Sequence, residues 1–323
     1  MNVAVTGGSG VVGRSLVRHL VAAGHQVVAQ ARSARSSELV TSLGAQPVMG
    51  DVLDRHSLRA LVSGAEWVFH VAGVNELCSA DPGHMDLVNI EGSRNVFMAC
   101  NEAGVRRMVH TSSAATIGEA RGTIGTESSP HRGSYLSRYE RSKHIAERLV
   151  LETVGDLEVV AVNPSSVQGP GRATGTGKLI LNLLNGKLPF VVETTVSIVD
   201  IDDCVRGHLL AAANGVSGAR YILSGASFGM AEGIDLLASM SGRRSRTAFL
   251  PGWVAAGGAA AFEFGARLAG RRPTLCREMV RVLRAGHTYD GTRATRELGL
   301  EYTALDVTIR RTIDWFESGG LLT

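Results

Sequence analysis

The first half of the chain alternates between two hydrophobic periods. Short apolar runs at Val3–Val5, Gln26–Gln30, Pro47–Met49, Trp67–Ala72, Met108–Thr111 and Val159–Val162 predict buried strands. Between them apolar residues recur at helical spacing. Val12–Ala23 carries Val12, Leu16, Val17 and Leu20 on one side and stops at Gly24, and further helices are predicted over Ser57–Val62, Met85–Ala103 and Tyr139–Val154. Repeated strand–helix units predict an α/β fold, a doubly wound parallel sheet covered on both faces. Past Asn163 the rhythm loosens. Gly169–Gly177 reads as a loop and Leu179–Leu184 as a helix. The strand Ser197–Val199, the helix Asp203–Ala213 and the strand Tyr221–Leu223 are expected to rejoin the sheet. Trp253–Phe262 is too short to span a bilayer and reads as a buried helix.

This pattern divides the 323 residues into three parts. Residues 1–163 with about 198–226 form a nucleotide-binding domain, and about 164–197 with 227–290 a smaller substrate-binding lobe. Residues 291–323 supply C-terminal helices that pack on the core. Hydrophobic residues make up 44% and charged residues 20%, enough apolar material for a sizeable core. A net charge of +3 does not suggest nucleic-acid binding. Arginines gather late, at 243, 244, 246, 267, 271, 272, 277, 281 and 284, and read as solvated helix faces. Cys78, Cys100, Cys204 and Cys276 are dispersed, without metal-ligand spacing, so neither a zinc site nor a disulfide is expected. No charged leader precedes the first strand. A cytoplasmic protein without stable membrane insertion follows.

The first turn carries the most specific chemistry. Gly7, Gly8, Ser9, Gly10, Val11, Val12 and Gly13 join a strand to a helix, with glycines at 7, 10 and 13. Bare backbone at the early glycines lets a pyrophosphate approach, and the last lets helix and strand pack closely. The helix start offers free N–H groups and the positive end of its dipole. This predicts a Rossmann-type dinucleotide site. The second strand ends without the acid that would hold the ribose of NAD, and Arg32, supported by Arg35, can pair with a 2′-phosphate. NADP(H) is therefore the expected cofactor, with NAD(H) as the alternative. Asp51 and Val52 are positioned for the adenine, and Val71, Ala72 and Gly73 to close the fourth strand beneath the cofactor. For Asp51 and Gly73 a plain turn role is the competing reading. Thr111, Ser112, Asn163, Pro164, Ser165 and Ser166 end the fifth and sixth strands on the same side.

Tyr139 and Lys143 are one helical turn apart. A nearby ammonium favours the phenolate, so Lys143 is expected to lower the Tyr139 pKa and to hold ribose hydroxyls. Ser113 closes the fifth strand, at the edge where open parallel sheets place their active sites. Ser113, Tyr139 and Lys143 form the expected catalytic set, with no metal. His70, His110, His144 and His208 have no metal-ligand spacing and no assigned role.

Together TGGSGVVG at 6–13, HVAG at 70–73, NIEGSRNV at 89–96, HTSSAATIG at 110–118, YERSK at 139–143, VNPSSVQGP at 162–170 and VDIDD at 199–203 resemble the extended short-chain dehydrogenase/reductase family, also described as the NAD-dependent epimerase/dehydratase superfamily. Within it the chain is similar to the dihydroflavonol-4-reductase-like branch, and Gly177–Val199 to hopanoid-associated sugar epimerases. The resemblance implies NAD(P), a Ser–Tyr–Lys site and a homodimer through the two long helices. Gly118 stands where plant flavonoid reductases carry an asparagine that touches the flavonoid, which argues against that substrate. Ala114 and Ala115 replace the Asp-Glu pair of sugar-nucleotide dehydratases, which argues against dehydration.

The leading expectation is a carbonyl reductase or alcohol dehydrogenase acting on a small-molecule ketone, aldehyde or alcohol. A sugar or nucleotide-sugar epimerase would use the same three residues and retain its cofactor. A 3β-hydroxysteroid-type dehydrogenase is a third reading. A non-catalytic NADP sensor is disfavoured by the Tyr139–Lys143 pair.

Overall fold

Each apolar run becomes a strand and most of the intervening periods a helix. The computed structural model describes residues 1–79, 81–153, 155–243 and 246–323. The expected helix end at Val154, and Arg244 of the late arginines, lie outside them. The first half runs β1 (Asn2–Thr6), α1 (Val11–Ala22), β2 (Gln26–Ala31), α2 (Ala34–Ser42), β3 (Gln46–Met49), α3 (Arg55–Val62) and β4 (Trp67–His70). Then α4 (Pro82–Asp86) passes through one π-helical turn, Leu87–Glu91, into α5 (Gly92–Glu102). There follow β5 (Arg107–Thr111), a 3₁₀ turn at Ala114–Ile117, β6 (Ile124–Gly125), α6 (Arg138–Glu152) and β7 (Glu158–Pro164). The second half comprises β8 (Ser166–Gln168), α7 (Thr176–Leu184), β9 (Phe190–Val192), β10 (Thr195–Asp200), α8 (Ile201–Asn214), β11 (Arg220–Leu223), β12 (Ala226–Gly229) and α9 (Met230–Ser241). It ends with β13 (Ala248–Leu250), α10 (Gly252–Leu268), α11 (Arg277–Ala285), β14 (Thr288–Tyr289), α12 (Thr292–Leu298) and α13 (Leu305–Ser318).

Seven strands form the central sheet in the order β11-β7-β5-β4-β1-β2-β3, every pair parallel. Alternate residues of β1 feed opposite faces, as the two-residue period of a strand requires. Val3 and Val5 pack with Leu16, Leu20 and Val205, whereas Ala4 packs with Val68, Val96, Met108 and Val150. Burial on both faces explains the unbroken apolar runs of the inner strands; β3, at the edge of the sheet, has no buried residue, against the expectation of a buried strand there. The strand order reverses between β1 and β4, where open sheets of this type bind ligands.

The structure corrects four further expectations. The helix over 85–103 is broken by the π turn, which points Asn89 inward. Only β11 of the later strands joins the main sheet; β10 lies between β8 and β12 in a three-stranded sheet. There the far end of β10 is held by α13, through Thr308 and Arg311 on Asp200. Cys78 and Cys276, 198 positions apart, form a disulfide that ties the loop after β4 to the start of α11. Finally, α10 is not buried: within it only Ala259 and Glu263 are. Among the described residues no helix is long and apolar enough to cross a membrane.

Candidate active site

The glycine turn is built as backbone meeting backbone. Gly7 has φ 70°, and a Cβ there would lie 2.6 Å from the Ala72 amide nitrogen. A Cβ on Gly13 would lie 2.1 Å from the Gly7 carbonyl oxygen. The first bond of α1 runs from the Arg14 amide to the Gly10 carbonyl, and neither a side-chain cap nor an acid occupies the first turn. The amides of Val11, Val12 and Gly13 therefore point out of the helix start without a backbone acceptor among the described residues. This cradle fits the diphosphate of a dinucleotide. Arg14 closes its far side by donating to the Gly171 carbonyl at 3.1 Å. Thr6 Oγ1 is bonded to His70 Nδ1 at 2.8 Å and accepts the Ala72 amide, locking the ends of β1 and β4 together.

At the end of β2, Arg32 is 68% exposed and 4.0 Å from the Asp51 carboxylate. Arg35 is exposed on α2, which is capped by Ser33. Asp51 also accepts the Leu53 amide, so its turn role is real. Val52 is buried and its carbonyl accepts from Asn95. Ala72 and Gly73 line the edge of β4, with Gly73 close to the Lys143 ammonium.

Ser113 begins the 3₁₀ turn after β5, and Ser137 caps α6 by accepting the Glu140 amide at 3.1 Å. Burial raises the Tyr139 pKa, and Ser113 and then the Arg172 charge oppose that rise. Lys143 is buried and donates to the Thr111 carbonyl at 2.7 Å. Desolvation lowers its pKa to about 8, against the pull of Glu147. Lys143 is thus directed at β5, and the cation acting on the phenol is Arg172. Sequence reasoning missed Arg172. Its one signal is a lone guanidinium in the small-residue loop Gly169–Gly177, and its buried Nε has no partner among the described residues.

Asn89 receives the Val74 amide and donates to Ser142, tying the π turn to α6. The remaining candidates do not all face the cleft. Asn163 is fully buried, and its amide is spent on Ser113 O, Thr116 and Glu147, inside the core rather than toward a cofactor. Pro164 is buried at the end of β7, and the Ser165 amide donates to Leu223. Ser166 donates to Thr176. Ser112 bonds its amide to the Val162 carbonyl, and its buried hydroxyl is without a partner among the described residues. His70 and His208 are structural: burial holds them neutral, with pKa values lowered to about 3 and about 4. His110 is driven down in the same way. His144 bonds the Thr116 carbonyl. No metal-binding cluster exists among the described residues.

A cavity of about 390 Å³ borders the start of α6 at Leu136 and is lined by Arg121, Arg132, Arg281, Arg284 and His287. It contains neither Ser113 nor Tyr139. Glu278 clamps this region, accepting the Cys78 and Arg138 amides. Arg281 and Arg284 of α11 thus meet Arg121 and Arg132, from the loop after the 3₁₀ turn, beside the start of α6, a grouping that linear spacing does not show.

A dinucleotide turn at the sheet's switch point, with a Ser–Tyr pair at its carboxyl edge, defines an NAD(P)-dependent oxidoreductase of the extended short-chain dehydrogenase/reductase type. The chain belongs to the 3-beta hydroxysteroid dehydrogenase/isomerase family, whose pattern matches residues 4–222. A Synechocystis sp. protein provisionally named dihydroflavonol 4-reductase is 32% identical over 98% of this chain and 94% of its own. Sterol demethylase protein B of Methylococcus capsulatus is 30% identical over the whole of both chains. The crystal structure of gox2253 superposes with a TM-score of 0.87 at 31% identity, covering 100% of this chain and 99% of that one. MoeE5, solved with UDP-glucose and NAD, superposes at 0.78 with 25% identity over 99% of each chain.

Proposed function

We propose that the protein is an NADP(H)-dependent carbonyl reductase, acting in reverse as an alcohol dehydrogenase, on a small-molecule ketone, aldehyde or secondary alcohol. The observation that carries this reading is the placement of Ser113 just past the end of β5 and of Tyr139 in the first turn of α6, a buried phenol on which Ser113 acts. Burial keeps the phenol protonated. That is the state needed to give a proton to a carbonyl oxygen as it is reduced. Ser113 holds that oxygen, and Lys143 holds ribose hydroxyls from beside Thr111. The nicotinamide, when bound, supplies the hydride. Residues 7–13 take the diphosphate, Arg32 and Arg35 the 2′-phosphate, and Asp51 with Val52 the adenine. Val71–Gly73, Thr111, Ser112 and Pro164–Ser166 flank the rest. Residues 1–163 with about 198–226 serve the cofactor, about 164–197 with 227–290 the substrate, and 291–323 brace the core. The reading includes a homodimer through α5 and α6 and a cytoplasmic location.

A second reading, a sugar epimerase, draws on the likeness to MoeE5. A spectrophotometric screen of ketones, aldehydes and secondary alcohols with both cofactors separates the two. Reduction with preference for NADPH, lost in Tyr139→Phe while NADPH still binds, supports the reductase. Purified protein holding stoichiometric NAD without net cofactor turnover supports the epimerase. Equal kcat/KM with NADH and NADPH removes the cofactor preference.

A further inference from the structure

The solvent side of α10 is apolar. Trp253, Gly257, Ala261, Phe264 and Leu268 follow one another at i, i+4, i+8, i+11 and i+15, so they share one face of the helix. That face looks outward: Trp253 is 74% exposed, Phe264 66% and Leu268 74%. Phe262 is exposed on the adjoining side, and Phe249, just before the helix on β13, is exposed as well. The one acid of α10, Glu263, is turned inward and neutralised by Arg267 and Arg277. A helix about 25 Å long with such a surface is far from the scattered single exposures of ordinary monomers.

The surroundings decide what covers it. Between positions 243 and 289 the chain has nine arginines and two glutamates, with no lysine or aspartate. Both glutamates are consumed internally, Glu263 as above and Glu278 by the amides of Cys78 and Arg138. Arg271, Arg281 and Arg284 are exposed and make no ion pair among the described residues. Arg284 lies directly against Gly252, next to Trp253. A net charge of +3 for the whole chain therefore hides a strongly basic edge beside this apolar face. Pairing two copies across a twofold axis would bring this edge against itself. Exposed Trp, Phe and Leu ringed by arginine instead match the anionic surface of a lipid bilayer, with rings at the headgroup level and guanidiniums on the phosphates.

We propose that α10 is a monotopic membrane-docking helix that lies in the interface of anionic bilayers. No spanning helix is needed. The arginine-lined cavity has Ala256 of α10 in its wall, so it lies beside the docked face, next to α6.

The test is sedimentation of the full chain with vesicles of phosphatidylcholine mixed with phosphatidylglycerol, against vesicles of phosphatidylcholine alone. It requires no turnover and is independent of the reductase reading. The expected result is binding to the mixed vesicles, at least about tenfold weaker on neutral ones. The triple variant Trp253→Ser/Phe264→Ser/Leu268→Ser, all at exposed positions, should lose it with an unchanged melting curve. Replacing Arg271, Arg281 and Arg284 by glutamine should weaken it about fivefold per charge. Quenching of Trp253 fluorescence by brominated lipid tests the unmodified chain and decides the matter if the triple variant misfolds. Absence of binding to the mixed vesicles, or absence of quenching, overturns the proposal. So does binding that a folded triple variant retains. A dimer that the triple variant dissolves, without vesicle binding, assigns the face to a second copy and overturns it too.

Discussion

Lys143 donates its ammonium proton to the Thr111 carbonyl at 2.7 Å. The contact anchors α6 to the carboxyl end of β5. It also leaves a buried cation whose pKa has fallen from 10.5 to about 8.

A depressed lysine pKa means that the unfolded chain binds more protons between those two values, so stability rises with pH across that window. The stability is fully present above pH 10.5 and is lost as pH falls to about 8. The difference is roughly 3 kcal/mol. Urea unfolding of the natural chain and of Lys143→Met at both ends of the window should show this rise only in the former. Parallel behaviour of the two would show that the ammonium is not desolvated.

The buried histidines act at lower pH with the same sign. His208 falls from 6.5 to about 4. Its contribution is therefore complete above pH 6.5 and is lost as pH falls through about 4, by roughly 3 kcal/mol. His208→Gln should flatten part of the acid limb of a plot of Tm against pH. An unchanged acid limb would assign the loss to other groups.

Arg32 is exposed, so replacing it should cost little stability. Arg32→Ser is expected to lower kcat/KM with NADPH about tenfold or more and to leave the NADH value nearly unchanged, because only the 2′-phosphate needs the guanidinium. Equal losses with both cofactors would count against this role.

Gly13→Ala would force a methyl to within 2.1 Å of the Gly7 carbonyl. It should cost at least about 2 kcal/mol and abolish dinucleotide binding. At Gly10 the nearest atom to an added Cβ is at 3.3 Å, so Gly10→Ala should fold with a loss of under about 1 kcal/mol. Thermal melts and NADPH titration read both.

The Cys78–Cys276 bond closes a very long loop, and Cys78 itself sits at φ 58°. Reducing it should lower unfolding stability by about 2–4 kcal/mol. Denatured protein prepared without reductant should titrate as two free thiols, Cys100 and Cys204. Four thiols would show that the bond does not form.

The chain's own pattern carries the sheet. Every strand that the first half gives to the central sheet follows from an apolar run, because inner parallel strands bury both faces and leave a continuous signal, whereas the two-residue β6 carries none. The glycine turn is equally legible, since backbone approach excludes a Cβ at Gly7 and Gly13 whatever surrounds them. Residues 113, 139 and 143 could be named because strand end and helical spacing are local properties. α2 was harder to see: it carries one buried residue, Val40, so it has almost no apolar stripe.

What local pattern does not hold is any pairing between distant segments. Cys78 meets Cys276, Glu278 reaches the start of α6, the Arg172 charge acts on Tyr139, and Asn163 turns into the core. Each depends on how the lobe lies on the sheet. The same is true of α10, whose apolar composition implies burial until the fold leaves one face uncovered. Strand periods, helix periods and glycine positions record interactions within a few residues and are written along the chain. Long-range contacts and solvent exposure depend on three-dimensional packing, and only the tertiary structure decides them.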